Sequence, residues 1–412
     1  MAKPLTLGEA RALMLARSRG APQVEQVTLA DAHGRSLAAD VHAAGPWPAT
    51  DRSAMDGFAV LVGAAGLAAG TSLPVVGESL AGKPFAGALA AGRAIRIMTG
   101  AVVPPGADAV VPVEQTSGFA GSSVTLSSAV SAGQNIRPEG SEVRAGQRVL
   151  SSGQLLRAAE IGALAVLGHT KVAVARQPIV AIVATGDEIV PIEQSPLPHQ
   201  VRESNSWALA AQVRESGGVP LRLGIAPDEP VALRTMLEVG LQRADVLLTI
   251  GGISKGTHDL VHSTLGELGV RTEFHGIDLK PGKPTYFGTV AGRTARFVVG
   301  LPGNPASSFT VFDLLVRPLL LQLLGRDPGE QRGAAIVGGA PWRANSRLQA
   351  VPARLAPSPG GELVAELLPP SPSGDPFGLL LADGYALVPS LRRHGEQPTV
   401  PIAGSSAGVH LP

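Results

Sequence analysis

The sequence contains no cysteine. That excludes disulfides, thiolate catalysis and Cys-ligated zinc or iron–sulfur centres, and it agrees with a reducing compartment. Aromatic residues are scarce, at 3% of 412 positions, so the cores have to be built from Ala, Val, Leu and Ile. Neither sign of charge is in excess: 34 Lys and Arg face 33 Asp and Glu, a formal charge of +1. The basic footprint of a general nucleic-acid binder is therefore missing. Long uncharged stretches such as 58–77 are interrupted by Gly, Ser and Pro, which makes them poor membrane spans. The first residues lack the apolar centre of a signal peptide. These absences predict a soluble, cytoplasmic protein with no nucleic-acid and no membrane partner.

Glycine (51) and proline (35) are abundant, and they are spread among apolar runs. That distribution means many turns and short strands, not disorder. Length suggests about three domains at roughly 150 residues each, but the pattern along the chain resolves four parts. Thr6-Leu7-Gly8-Glu9 reads as a capping box opening a helix through about Ser18. From Trp47 to Asn135 short β-prone pieces alternate with Gly/Pro turns, as in a small β module. Helical spacing returns over 154–167, so the module reads as an insertion.

From Pro178 strands and helices alternate. Strands are predicted at 179–184, 219–225, 246–250 and 296–299, and helices at 204–216, after Asp228, at 259–268 and at 305–324. A mostly parallel sheet covered by helices follows, with ligands expected beyond the carboxyl ends of its strands. Short strands at 361–367 and 384–388 predict a last β domain. The predicted fold class is multi-domain α/β plus β. It comprises a helical or extended linker domain (1–50 and 136–177), an inserted β domain (51–135), a central α/β sheet domain (178–325) and a C-terminal β domain (326–412).

The loops after the predicted strands are where chemistry belongs. In Thr185-Gly186-Asp187-Glu188, Gly admits a ligand to the backbone and Glu188 is a carboxylate able to hold Mg²⁺; a plain turn capped by Thr185 or Asp187 accounts for the same residues. The glycines and hydroxyls from Gly251 to Asp259 suit a nest of N–H groups for phosphate. An ordinary turn with Asp259 as helix cap serves equally well. The spacing is that of neither a Walker A loop nor a dinucleotide fingerprint. His258 and His262 share a helix face without a third ligand and read as surface histidines. Lys280-Pro281-Gly282-Lys283-Pro284 presents two ammonium groups in a stiff turn at the end of an expected strand, 273–279, a good oxyanion clamp. Leu301-Pro302-Gly303-Asn304-Pro305 makes a tight turn and a helix start, with or without a ligand. Residue by residue, this is a carboxylate-plus-lysine anion site suited to phosphate-bearing substrates.

The ordered set of motifs is more specific than any member. Ser53–Gly57, Ala81–Phe85, Ala94–Ala101, Gly106–Val110, Asn135–Arg137 and Ala159–Gly162 come first, then Thr185–Glu188, Ser204-Asn205, Pro227-Asp228, Lys280–Pro284 and Leu301–Pro305. Over residues from about 5 to 325 the chain resembles the molybdopterin molybdotransferases, the MoeA and gephyrin E-domain family. The resemblance implies a four-domain, L-shaped homodimer that inserts molybdate into adenylylated molybdopterin and releases AMP with Mg²⁺. A molybdopterin adenylyltransferase and molybdoenzyme maturation factors are the implied partners.

By the same resemblance the catalytic residues are Asp259, Asp228, Glu188, Lys280 and Lys283. Asp228, Asp259 and Glu188 would hold the metal, and the two lysines would balance the molybdate dianion. Substrate contacts fall to Thr185, Gly186, Gly251, Gly252, Ser254, Pro284, Pro302, Asn304, Pro305, Arg347 and Ser373. Asp56 and Thr99 would reach the cleft of the opposite subunit. The chain departs from the family pattern at Ser141, Glu142, Glu203 and Ile250, and in the last domain around Arg347 and Ser373. These departures motivate the alternative of a catalytically weakened paralogue that binds or delivers the cofactor. A third reading is a nucleotidyltransferase that adenylylates the pterin.

Overall fold

Thr6 starts the first helix, α1 (Leu7–Arg17). Its hydroxyl accepts the Glu9 N–H at 3.2 Å, and the Glu9 carboxylate accepts the Thr6 N–H at 2.8 Å. The reciprocal pair satisfies two otherwise free donors of the first turn. The computed structural model describes residues 4–253, 260–292, 296–329, 336–339, 346–357, 363–369, 371–388 and 402–404. They fall into two compact units, one of Met1–Ala39, Ser152–Ile161 and Thr170–Pro412, the other of Asp40–Ser151 and Gly162–His169. A second helix, α2 (Ala158–Val166), occupies the later of the two predicted helical segments.

The first unit is organised around a six-stranded sheet. Its strands are β1 (Ile179–Thr185), β2 (Val219–Ala226), β3 (Val246–Ile250), β4 (Arg271–His275), β5 (Tyr286–Thr289) and β6 (Phe297–Leu301). The spatial order is β2-β1-β3-β6-β5-β4. The β2-β1-β3-β6 half is parallel, while β5 and β4 add on antiparallel. β1 is apolar from Ile179 to Ala184, and Thr249 is the one polar residue in β3, because helices cover both faces of the sheet. The covering helices are α3 (Asn205–Glu215), α4 (Pro230–Arg243), α5 (Leu260–Glu267), α6 (Pro305–Val311) and α7 (Arg317–Leu323).

Two expectations need correcting. The helix foreseen over 305–324 is interrupted by a π turn, Phe312–Val316. Pro318 has no N–H to give to the carbonyl of Leu314, and the wider turn absorbs that mismatch. The Pro305–Leu323 run is apolar and long enough to cross a membrane, but 72% of it is buried in the core. The strand foreseen over 273–279 ends at His275. Gly276 takes φ +99° there, and Ile277 N–H turns to the Lys283 carbonyl at 3.0 Å. Leu279–Lys280 then pairs in parallel with Leu348–Pro357, so it belongs to the C-terminal sheet. That sheet also holds Ile336–Gly339, Leu363–Leu367, Gly384–Val388 and Ile402–Gly404.

In the second unit a five-stranded sheet runs Ala109–Pro112, Gly57–Val60, Ala94–Ile97, Ser72–Ser79, Ser123–Thr125. Phe58, Val60, Val111 and Val124 form its core on one face, and Ile95, Ile97 and Val110 on the other. Ser72–Ser79 was not foreseen as a strand, because Pro74 and Gly77 within it are poor strand signals.

Candidate functional site

The carboxyl ends of β1, β2, β3 and β6 lie side by side. Thr185 pairs with Ala226, Ala184 with Ile250, and Ile250 with Leu301. The loops that leave them therefore start on one edge. Thr185 is buried, and its hydroxyl donates to the Ile250 carbonyl at 3.1 Å, tying the first loop to the third. It does not cap a helix.

Gly251 and Gly252 leave β3 with φ +81° and +63°. At Gly252 a Cβ would stand 2.4 Å from Val261 Cγ2 and 2.9 Å from Thr185 Oγ1. Only glycine fits this turn both in conformation and in space. Gly251 N–H donates to the Leu301 carbonyl at 3.0 Å, which joins the third loop to the fourth.

Acidic groups gather at the ends of β1 and β2. Asp187 Oδ1 accepts the Asp228 N–H at 3.1 Å, so this carboxylate also binds across strands and does not serve as a cap. Glu188 folds its carboxylate over Gly186. Partial desolvation, then the negative charges of Asp187 and Glu188, raise the Asp228 carboxyl above its ordinary value. Among the described residues no three His, Asp or Glu side chains form a ready-made metal cage. Asp259 and Ser254, like His258, lie outside the described residues.

The fourth loop is held from two sides. Asn205 Nδ2 donates to the Gly303 carbonyl at 2.7 Å, and Asn304 Nδ2 donates to Ser373 Oγ at 2.9 Å. The Ala306 N–H, in the first turn of α6, donates to the Ser373 carbonyl at 3.1 Å. Pro302 is buried and Pro305 opens α6. Ser373, the most loosely matched of the sequence candidates, is thus brought directly to Asn304.

Lys280 and Lys283 are both exposed, and Pro284 is half-buried. Besides the Ile277 bond to Lys283, their loop is closed where Gly276 N–H donates to the Thr285 carbonyl at 2.8 Å and Thr285 Oγ1 donates to the Gly282 carbonyl at 2.6 Å. Arg347 Nη1 donates to the Leu279 carbonyl at 3.1 Å, which ties a third cation to the residue before Lys280. The helix α6 runs between the two groups. Asn304 precedes its first turn, while Gly282 abuts Val311 in its last.

In the second unit Asp56 Oδ1 accepts from both the N–H and the hydroxyl of Thr99, at 2.7 and 2.8 Å. These two bonds, the backbone one first, hold the Asp56 carboxyl below its ordinary value. The strand that follows begins at Gly57, where a Cβ would lie 1.9 Å from the Val111 carbonyl oxygen. The Asp-Gly pair is thus a packing necessity joined to an exposed carboxylate. Sequence reasoning left Asn205 and Asp187 out of the candidate site. Asn205 was visible only within the Ser204-Asn205 motif, and Asp187 only as a turn residue.

A mostly parallel sheet whose carboxyl ends carry glycine turns and acidic loops, with a lysine-bearing loop paired to a C-terminal β sheet, defines a multi-domain α/β protein. Residues 5–168 match the family profile described as MoeA N-terminal region (domain I and II). Residues 181–322 match the one described as probable molybdopterin binding domain. Among curated relatives, a molybdopterin molybdenumtransferase of Nostoc sp. is 37% identical over 308 residues, 74% of this chain and 70% of its own. One from Haemophilus influenzae is 34% identical over 322 residues, 78% of each chain. The solved structure of a molybdopterin biosynthesis MoeA protein from Pyrococcus horikoshii superposes with a TM-score of 0.79 at 31% identity, covering 94% of this chain and 95% of that one. The chain belongs to the molybdopterin molybdenumtransferase (MoeA) family, enzymes of molybdenum cofactor biosynthesis.

Proposed function

We propose that the chain inserts molybdate into adenylylated molybdopterin and releases AMP. The observation that supports this most is the joining of the Thr185, Gly251 and Leu301 loops by main-chain and hydroxyl bonds at one sheet edge. In this reading Thr185, Gly186, Gly251, Gly252, Ser254, Pro302, Asn304 and Pro305 cradle the pterin phosphate and its nucleotide. Lys280 and Lys283, with Pro284, Arg347 and Ser373, receive the tetrahedral molybdate dianion, for which ammonium and guanidinium donors are the matching chemistry. By the family resemblance Asp56 and Thr99 would be further substrate contacts, reaching the cleft of the opposite subunit of the dimer.

The carboxylates fit a hard divalent cation. Asp228 is crowded by the like charges of Asp187 and Glu188, a cost that a cation relieves. Mg²⁺ needs only one or two carboxylates, completing its shell with water and substrate phosphate. Asp228, Glu188 and Asp259 would hold it, and when bound it would neutralise charge on the phosphoanhydride as AMP departs. The protein's own part is to orient the phosphate on the glycine turn and to keep the lysines beside the incoming oxyanion.

The same proposal includes a cytoplasmic homodimer and the four-domain division 1–50 with 136–177, 51–135, 178–325 and 326–412. Sedimentation tests the dimer. The activity test incubates the full chain with adenylylated molybdopterin, molybdate and Mg²⁺ and measures AMP. Release above a no-protein control is expected. Tight pterin binding without AMP would instead mark a carrier, and pyrophosphate from ATP plus molybdopterin would mark an adenylyltransferase.

A further inference from the structure

A cavity of the first unit lies at the opposite edge of the central sheet from the proposed reaction site. It is a cleft of about 330 Å³ at the amino ends of β1, β3 and β6, where Pro178, Asp245 and Arg296 precede the strands. Five guanidinium groups line it: Arg17, Arg19, Arg176, Arg271 and Arg296. Only two carboxylates answer them, and both are already shared. Glu273 accepts from Arg17 at 2.8 and 3.0 Å and from Thr289 at 2.9 Å, and lies 3.6 Å from Arg271. Asp245 accepts from Arg176 Nη2 at 2.6 Å and from the Ile179 N–H at 2.7 Å. Arg19 and Arg296 are exposed and have no carboxylate partner among the described residues. Five positive and two negative side chains leave the cleft with a surplus of three positive charges.

We propose that this cleft is a second anion site, one that binds a small phosphate-bearing molecule. Guanidinium forks match phosphate oxygens in geometry as well as charge. The Arg17–Glu273 and Arg176–Asp245 pairs fix the walls, while Arg19 and Arg296 supply the unspent donors. The volume lies at the lower end of the range of about 300–1,000 Å³ usual for small-molecule sites, and exceeds what a bare phosphate needs. Pro22, Val290 and Leu323 add an apolar wall against which the body of such a ligand can rest.

The test is calorimetric titration of the full chain carrying Lys280→Ala and Lys283→Ala, so that the lysine loop contributes nothing. Inorganic pyrophosphate and AMP are the probes. At least one of them is expected to bind in an event separate from any binding at the proposed reaction site, and adding Arg19→Ser and Arg296→Ser is expected to weaken that event at least about tenfold with the thermal midpoint unchanged. Pyrophosphate binding alone identifies a bare anion as the ligand, while tighter AMP binding identifies a phosphate carried on a larger body. No binding of either probe, or titrations in which the two arginine substitutions leave every binding event intact, overturns the proposal. No molybdenum transfer enters the readout, so the result stands apart from the proposed activity.

Discussion

Replacing Gly252 by alanine probes the turn on which the proposed phosphate seat depends. The residue sits at φ +63°, where a side chain costs roughly 1–2 kcal/mol. The new methyl would also stand 2.4 Å from Val261 Cγ2 and 2.9 Å from Thr185 Oγ1, an overpacking that typically costs about 1–3 kcal/mol. Restricting the unfolded chain returns at most about 1 kcal/mol. A net loss of about 1–4 kcal/mol is expected in urea unfolding followed by tryptophan fluorescence, with AMP release falling alongside. The decisive measurement is a double-mutant cycle with Val261→Ala, which removes the closest clashing atom but not the backbone strain. Each single change is expected to destabilise, since Val261 is itself buried. The pair should be less damaging than the sum of the two by at least about 1 kcal/mol. Additive losses would show that the space between the glycine turn and α5 is not the constraint.

Three further outcomes are expected. Asp228→Asn should slow AMP release at least about tenfold, or ~1.4 kcal/mol of barrier, with circular dichroism unchanged; a wild-type rate would remove Asp228 from the chemistry. Asp313→Ala should destabilise the first unit by about 3 kcal/mol, because Arg317, buried beside it and bonded to it at 2.6 and 3.0 Å, loses its nearest anion; a thermal midpoint unmoved by the change would contradict this. Glu160 is held down at about 2, first by its bond to Arg157. A carboxyl depressed in the folded state contributes its full stabilisation above the ordinary 4.5 and loses it as pH falls towards 2. Glu160→Gln should therefore flatten stability across that window by about 1 kcal/mol, a figure kept small because Arg157 is exposed and screened; identical acid profiles would refute the assignment.

The parallel strands were legible in the sequence because a strand buried on both faces is almost wholly apolar, as in Ile179–Ala184 and, but for Thr249, Val246–Ile250. The cap at Thr6 was legible for a similar reason, since its chemistry is local. What escaped was non-local. Nothing near Leu279 announces that its partner is Leu348, nearly seventy residues on. Asp187 looks like any turn residue until the end of β2 arrives beside it. The π turn was hidden because the apolar spacing from 305 to 324 is that of a helix, and a single proline within it marks strain without saying how the chain absorbs it. The candidate residues themselves came from the ordered motifs, while their bonds, Asn304 to Ser373 and Arg347 to the Leu279 carbonyl, came only from the coordinates.

The short ladder between Leu279–Lys280 and Leu348–Pro357 is made by peptide groups, not by side chains. A backbone splint of this kind is indifferent to most substitutions, so the last domain is free to drift in sequence while still steadying the lysine-bearing turn. Truncating the chain ahead of Leu348 would remove this ladder together with Ala350, Tyr385 and Leu387, which share the core of the central sheet. Loss of the tail would then register as lost stability and a freed turn at once, because the splint and those core residues leave together.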